Sequence, residues 1–190
     1  MWLEDKNMPN KPKYNFKNTV TSAEVLSFRK SLSLSQADFA NLLGVSKPTI
    51  ERMEHSNNEI IGAIAILIDL LTENPELIEA RIIPNKKYPL RLWYMYKNKK
   101  CTLIDVDDMN RKVYIKNYIS NIMFCAFGSN QKPTYVDYED FLKSRCFPET
   151  RDKIKIELSA LGIPFYDPML IIEKTEGRMA EDDFWILIER

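Results

Sequence analysis

Apolar side chains change their spacing about halfway along the chain. From residue 20 to residue 83 they recur every three or four positions, which places them on one side of a helix. After residue 90, apolar and polar side chains alternate as in half-buried strands, over residues 91–96, 101–106 and 112–118. The first half of the chain is therefore predicted to be helical, and the second half is predicted to begin with a three-stranded sheet.

Helical spacing returns near the end of the chain, over residues 138–146 and 150–161. The apolar run 184–188 is predicted to rejoin the sheet. Together these patterns predict an α+β fold. An all-α five-helix domain is followed by a small mixed α/β domain with an antiparallel meander.

Two polar segments divide the chain into parts. Residues 1–19 carry lysines among asparagines and prolines, a composition that predicts a flexible arm. Residues 84–89 begin and end with proline around a polar run, which is typical of a linker. The predicted domains are therefore a helical domain over 20–83 and an α+β domain over 90–190.

Bulk properties exclude several classes of protein. The 27 basic residues balance the 27 acidic ones, so only a local charge patch can indicate a nucleic-acid partner. The longest apolar run, 60–71, is too short to span a membrane, and no signal peptide is evident. Three widely spaced cysteines are typical of free thiols in a reducing cytoplasm, where we expect the protein to be. A single histidine predicts no metal site, and no cofactor is expected.

The most informative segment is 34–54, which reads as two short helices joined by a turn. Ser35 is a good N-cap for the first helix. Gly44 stands where a tight turn needs a positive φ angle. Ser46 is suited to cap the second helix, and Pro48 falls in the first turn of that helix, where a missing N–H does little harm. This pattern predicts a helix-turn-helix.

The second helix of this segment has two different sides. Ile50 and Met53 are three residues apart and are predicted to face the core. Lys47, Pro48 and Arg52 then fall on a different side, which is predicted to be exposed. The exposed side therefore carries two cations. The alternative is an ordinary helical hairpin with no role in DNA binding.

The run SQxxFAxxxGVSxxTIxxxE, from Ser35 to Glu54, resembles the lambda-repressor, Cro-like (XRE) family of helix-turn-helix domains over about residues 20–80. In that family the second helix enters the major groove. The resemblance implies that Lys47, Pro48 and Arg52 face bases, with Pro48 making only apolar contact. It also implies a charge pair between a first-helix arginine and a late glutamate. The other residues implied are Gln36, Asn41 and Thr49 near phosphates, Ser46 at the same interface, and the pair Arg29 and Glu54.

These observations predict a sequence-specific regulator of transcription that binds double-stranded DNA, either a repressor or an antitoxin-like autoregulator. A homodimer is expected, because the segment 60–71 is apolar on nearly all sides and is available for pairing as well as for the core. The usual glycine after the glutamate is replaced here by His55 and Ser56.

No catalytic residue is expected in the second half. Its acidic residues lie in turns and helix starts, and no Ser/His/Asp set or phosphate-binding loop is present. Cys125 and Cys146 have no identifiable base. The protein is therefore not expected to be an enzyme.

Both faces of the strand 91–96 are partly apolar. One face is predicted to pack on helices. The other is either exposed as a partner site or packed against the first domain. Arg145, Arg151 and Arg178 are candidates to supply interface hydrogen bonds, to stay solvated, or to hold local loops.

The second half also resembles a small domain found at the front of Hip-type kinase toxins. That resemblance implies a partner-binding or kinase-linked module. The alternative function is therefore a protein-binding module through 90–190 that neutralises a toxin or kinase, with the DNA-binding half serving only autoregulation. The matching positions are Phe141, Arg145, Phe147, Pro148, Arg151, Leu158, Leu161, Gly177, Asp182, Phe184 and Trp185.

Overall fold

The computed structural model describes residues 15–189 of the chain. They form two compact units that divide between Ile82 and Ile83. Helices and antiparallel strands occur together, so the predicted α+β class is confirmed. Most of the predicted arm, residues 1–14, lies outside the described residues. Its last residue, Thr19, begins the first strand.

The first unit contains five helices and two very short strands. Thr21 begins the first helix with a reciprocal capping box, in which its hydroxyl accepts from the Glu24 N–H and the Glu24 carboxylate accepts from the Thr21 N–H. The elements are β1 (Thr19–Val20), α1 (Ser22–Ser31), α2 (Gln36–Leu43), α3 (Lys47–Glu54), β2 (Ile60–Ile61), α4 (Ala63–Glu73) and α5 (Glu76–Glu79).

The expectation that this unit is all-α, with a central helix over 60–71, was wrong at one point. Strands β1 and β2 pair antiparallel, with Val20 opposite Ile60. Helix α4 starts only at Ala63, because Gly62 adopts a φ of 95° that ends the strand and does not fit a right-handed helix. Apolar periodicity alone did not separate a two-residue strand from the helix that follows it.

The core of the first unit is formed by one cluster of apolar side chains. Phe39 from α2, Ile50 from α3 and Val25 from α1 are fully buried in it. Phe28 meets Phe39 edge to face, with ring centroids 5.8 Å apart. Helices α1, α2 and α3 are thereby fixed around a shared centre.

The second unit is a four-stranded antiparallel sheet with three helices. The strand order is β5-β4-β3-β6. The last strand therefore rejoins the sheet, as predicted, and the structure shows that it pairs with β3. The elements are β3 (Leu90–Tyr96), β4 (Lys99–Asp107), β5 (Lys112–Asn117), a 3₁₀ turn (Ile122–Phe124), α6 (Tyr135–Ser144), α7 (Ile154–Leu161), α8 (Pro168–Thr175) and β6 (Phe184–Glu189).

The two faces of this sheet carry different clusters. Leu92 and Ile104 belong to the main core with the helices. Trp93, Met95 and Leu103 point to the opposite face and form a second cluster, in which each is buried. The centre of the opposite face is therefore not exposed, contrary to one of the two expectations for it.

The helices of the second unit differ from the predicted ranges. Helix α6 begins earlier, at Tyr135, because Thr134 and Asp137 form a capping box. Helix α7 begins later than the predicted 150, after Lys153, which has a φ of 60°. Helix α8 was not predicted, although its N-cap Asp167 and its first residue, Pro168, are ordinary start signals.

Candidate nucleic-acid interface

Helices α2 and α3 are joined by a tight turn whose geometry is set locally. The Ser35 hydroxyl accepts a hydrogen bond from the Asp38 N–H at 3.1 Å and caps α2. Gly44 ends α2 in the left-handed conformation with a φ of 68°. The Val45 N–H then donates to the Ala40 carbonyl at 2.9 Å. These bonds fix where α3 begins.

A cluster of polar side chains ties α1, α2 and α3 together. Arg29 Nε donates to Glu54 Oε1 at 2.5 Å, and Arg29 Nη2 donates to Glu54 Oε2 at 3.2 Å. Arg29 Nη1 also donates to the Leu34 carbonyl at 2.9 Å. Gln36 Nε2 donates to Glu54 Oε2 at 2.8 Å. The two residues expected to pair from the sequence are therefore in contact, and Gln36 joins them.

Burial and hydrogen bonding together set the charge state of this cluster. The side chains of Arg29 and Glu54 are 15% and 4% exposed. Hydrogen bonds from Arg29, and more weakly from Gln36, hold the pKa of the Glu54 carboxyl below its usual range, although burial acts in the opposite direction. The carboxylate therefore stays ionised and keeps α3 fastened to α1 at neutral pH.

The outer side of α3 presents polar and cationic groups. Lys47, Pro48 and Arg52 are exposed, whereas Ile50 and Met53 are buried beneath them. Lys47 Nζ lies 3.3 Å from Glu51 Oε1, one turn along the helix. Arg52 forms no ion pair with any residue that the structure describes, and its Nη2 reaches only Thr49 Oγ1 at 3.4 Å. Arg52 is thus an uncompensated cation on this surface.

The remaining candidates from the sequence occupy different settings. Asn41 is exposed near the end of α2, and Thr49 is half-buried on α3. Ser46 is exposed, but its side chain does not cap α3. Its hydroxyl lies 2.9 Å from Thr49 Oγ1 instead. Ser46 therefore occupies the N-cap position of α3, as predicted, but its hydroxyl does not supply the expected cap bond. Gln36 is half-buried and directed at Glu54 rather than free on the surface.

One positioning contact was missed from the sequence. The Ser22 hydroxyl donates to the Ser56 carbonyl, just beyond the end of α3. His55 ends the helix, and its Nδ1 lies 2.8 Å from the Glu51 carbonyl oxygen. No local pattern signals the Ser22 contact, because it joins residues far apart in the chain.

Helix α4 retains apolar side chains outside the core cluster. Ala65 and Ile68 are buried, but Ile66 and Leu70 are only half-buried and do not belong to that cluster. They lie four residues apart and so share one side of the helix. Ile61, in the preceding strand, is 72% exposed.

Two arginines of the second unit are buried against carboxylates. Arg91 Nε donates to Asp105 Oδ1 at 2.6 Å, and both side chains are almost fully enclosed. Arg145 Nη1 donates to Asp182 Oδ2 at 2.7 Å. Arg145 also bonds the carbonyls of Gly177 and Phe184, so it holds the loop that leads into β6. Sequence reasoning missed the Arg91 pair and left the role of Arg145 open.

Arg151 and Arg178 lie in exposed ion pairs with nearby glutamates, Glu157 and Glu176. The guanidinium carbon of Arg178 also lies 4.5 Å from the centre of the Trp185 ring. Neither arginine is enclosed in the way that Arg145 is. Both side chains therefore remain exposed at the surface of the second unit.

The cysteines of the second unit are free and buried. Burial raises the pKa of Cys146 to about 12 and also raises the pKa values of Cys101 and Cys125. A thiol with a raised pKa is a weak nucleophile at neutral pH. Within residues 15–189, no group of three or more His, Cys, Asp or Glu side chains is placed to hold a metal ion.

None of the helices within residues 15–189 has both the length and the apolar character required to cross a bilayer. A scan of the sequence against protein-family models and a search against curated proteins both found no match.

Proposed function

We propose that this protein is a sequence-specific regulator of transcription, a repressor or antitoxin-like autoregulator, that binds double-stranded DNA by placing α3 in the major groove. The observation that carries the proposal is the outer side of α3. There, Arg52 is exposed without an ion-pair partner, on a helix whose other side is buried through Ile50 and Met53. The five helices of the first unit, with the tight turn at Gly44, support a helix-turn-helix domain.

The proposed contacts follow from the exposure of each side chain. Arg52 donates to a guanine edge, since its guanidinium fork matches the two acceptors that guanine offers in the major groove. Pro48 offers apolar contact to a thymine methyl. Asn41 and Thr49 contact phosphates, which positions the helix without reading sequence. Lys47 contributes charge, although Glu51 partly offsets it.

Gln36 has an indirect role in this scheme. Its amide donates to Glu54 at 2.8 Å, so it helps to orient the carboxylate that fastens α3 to α1. Its carbonyl oxygen cannot favourably meet a phosphate, because both are acceptors. We therefore assign Gln36 chiefly to positioning α3, and the remaining N–H of its amide to a phosphate.

Selection of bound sequences from a random duplex pool tests the proposal. The full-length protein is expected to enrich one motif, with an affinity that falls steeply as salt rises. Arg52→Ala should weaken binding by about 1–3 kcal/mol and relax the preference at one base position. Lys155→Ala is the matched control, since it removes an exposed cation from α7 in the other unit. An unchanged motif and affinity with Arg52→Ala would refute the assignment of α3.

We also propose that the protein binds DNA as a homodimer, through the side of α4 that carries Ile66 and Leu70. Apolar side chains left outside a core are typical of such contacts. The operator should then contain two half-sites about 10 bp apart. Leu70→Glu should give a monomer by sedimentation, and Thr72→Glu, an exposed position on the same helix, should not. If the Leu70→Glu protein remains dimeric, the dimer contact does not involve this side of α4.

A second candidate function is a protein-binding module in residues 90–190, with DNA binding serving autoregulation. The edge strand β6 favours it, because Leu187 is 38% exposed beside the half-buried Trp185 on the same face of the sheet. Tagged full-length protein should recover a partner from host lysate that a Leu187→Lys variant does not recover. If recovery is the same for both proteins, this face is not the partner site.

A further inference from the structure

A pocket of about 290 Å³ lies in the second unit between α6, the turn after β4 and the start of α8. On α6, Tyr135 lies three and four residues before Tyr138 and Glu139, and Leu142 lies four and three residues after them, so all four share the side that lines the pocket. The turn contributes Asp108. The start of α8 contributes Asp167, Pro168 and Met169.

Two of the carboxylates at this pocket lie outside the ion pairs of the described residues, although Lys143 lines the pocket and the Arg111 guanidinium carbon lies 4.3 Å from the centre of the Tyr135 ring. Asp108 Oδ1 accepts only from the Tyr135 hydroxyl, at 3.0 Å. Asp167 Oδ1 accepts from the Leu170 N–H at 2.9 Å, as the cap of α8. Neither forms an ion pair with any residue that the structure describes. Their negative charges are therefore available to a ligand.

The other charged groups here are already paired. Glu139 Oε2 accepts from Arg111 Nη2 at 3.1 Å. Lys143 also lines the pocket, and its Nζ lies 3.7 Å from Asp140 Oδ1. These pairs leave the carboxylates of Asp108 and Asp167 as the unbalanced charges of the pocket.

Tyr138 provides an independent sign of a ligand. Its side chain is buried, with only 2% of the residue exposed, yet its hydroxyl makes no hydrogen bond within residues 15–189. Every fully enclosed side-chain nitrogen or oxygen in that range does have a partner. The Tyr138 hydroxyl must therefore be open to solvent, and the pocket that its side chain lines is the opening.

The charges around this hydroxyl favour a cationic ligand over an anionic one. Burial raises the pKa of Tyr138, and the charges of Asp108 and Asp167 raise it further. The phenol therefore stays neutral and can both donate and accept a hydrogen bond, so the neighbouring carboxylates, not the hydroxyl, select the charge of the ligand. An anionic ligand would be repelled by the same carboxylates.

We propose that this pocket binds the ammonium or guanidinium end of an aliphatic chain. Such a group carries only donors and a positive charge, so it donates to the Tyr138 hydroxyl oxygen and compensates Asp108 and Asp167 together. Its aliphatic part lies against Leu142, Pro168 and Met169. The site goes beyond DNA binding and does not depend on it.

Titration of the full-length protein with butylguanidinium, followed by amide chemical shifts in NMR spectra, tests the proposal. N-butylurea is the matched neutral probe, since it has nearly the same shape without the charge. Butylguanidinium should shift the resonances of α6 and of the turn after β4, and bind at least about tenfold more tightly than the urea. Equal binding of the two probes, or no shift around Tyr138, would overturn the proposal.

Two variants locate the contact. Tyr138→Phe removes only the hydroxyl and should weaken binding about fivefold. Asp167→Asn keeps a good cap for α8 while removing charge, and it should weaken binding to a similar extent. Tyr166→Phe is the control, because the Tyr166 hydroxyl donates to the Phe147 carbonyl outside the pocket. Unchanged affinity in both pocket variants places the cation elsewhere and overturns the assignment.

Two further probes distinguish the source of the cation. Butane-1,4-diamine represents a free small molecule, and N-acetyl-arginine N-methylamide represents an arginine side chain within a protein. Tighter binding of the capped arginine supports a protein side chain as the natural occupant. Tighter binding of the diamine supports a free organic cation.

Discussion

Three arginines are enclosed against carboxylates, Arg111, Arg151 and Arg178 lie in exposed ion pairs, and Arg52 lies in none within the described chain. Arg29, Arg91 and Arg145 each bind a carboxylate and at least one backbone carbonyl, and so act as internal clamps. Arg52 instead projects from α3 without an ion-pair partner in the described chain. A clamp arginine is a poor candidate for binding another molecule, because its donors are already used. This contrast is why the proposed DNA contact rests on Arg52.

Glu54→Ala is expected to destabilise the first unit by about 2–4 kcal/mol. Removing one partner of a buried ion pair leaves the other charge uncompensated, and Arg29 and Gln36 would both lose their acceptor. Urea unfolding measures the change. Glu51→Ala on the same helix is the control and should cost only about 0–1 kcal/mol, since its pair with Lys47 is exposed. Equal losses for the two variants would contradict the clamp.

The same carboxyl makes stability depend on pH. Because the pKa of Glu54 is lower in the folded protein than its ordinary value of about 4.3, the unfolded chain binds the proton more tightly. This contribution is therefore fully present above about pH 5 and is lost as the pH falls through the folded pKa. Glu54→Gln should flatten the decline of the first unit's stability below pH 5. If the free energy of unfolding of Glu54→Gln falls below pH 5 as steeply as that of the unmodified protein, Glu54 does not cause this pH dependence.

Arg145→Ala is expected to cost the second unit about 3–5 kcal/mol. The substitution leaves Asp182 without its ion-pair partner and removes the bonds to the Gly177 and Phe184 carbonyls. Arg178→Ala is the control, because the Arg178 pair with Glu176 is exposed. Thermal unfolding followed by tryptophan fluorescence compares the two. A small effect of Arg145→Ala would mean that the loop before β6 is held by other contacts.

At the scale of elements, the turn between α2 and α3 depends on one residue. Gly44 has a φ of 68°, and no atom lies within 4 Å of a Cβ built there, so a side chain meets backbone strain but no clash. Gly44→Ala should therefore destabilise the first unit by about 1–2 kcal/mol. Gly44→Asn should cost less, because asparagine tolerates the left-handed region. If the two substitutions cost the same in urea unfolding, backbone strain is not the cause.

Elements with strong local signals were predictable from the sequence. The serine cap and the glycine turn identified α2 and the start of α3, and alternation identified β3, β4 and β5. The strand pair β1–β2 was not predictable, because strands of two residues are too short to show a period and the partners are far apart in sequence. Helix α8 was missed although its cap and proline were visible.

The candidate site was predictable only in part. Burial of Ile50 and Met53 and exposure of Lys47, Pro48 and Arg52 follow from helical periodicity. The contact of Arg29 with Glu54 was expected from family resemblance. The bonds of Gln36 to Glu54 and of Arg91 to Asp105 depend on packing and strand register, which no local pattern encodes. DNA binding itself stays a prediction.

At the scale of the whole molecule, each unit has a hydrophobic core of its own. The cluster around Phe39 and Ile50 contains residues from 20 to 78 only. The two clusters of the sheet contain residues from 90 to 188 only. No regular element spans the division between Ile82 and Ile83. A unit with its own core has the main requirement for folding alone.

We therefore expect the two units to unfold as separate cooperative transitions. Glu54→Ala should lower the midpoint of one transition, and Arg145→Ala should lower the midpoint of the other, with little cross-effect because each residue bonds only within its own unit among the described residues. Calorimetry of the full-length protein, of both variants and of fragment 83–190 checks this. Two of the three tryptophans, Trp93 and Trp185, lie in the second unit, and Trp2 lies outside the described residues. Two of the three fluorophores therefore report on the second unit, while circular dichroism follows both units. If the protein unfolds in a single transition whose midpoint both substitutions lower, the two units unfold cooperatively and the prediction is wrong.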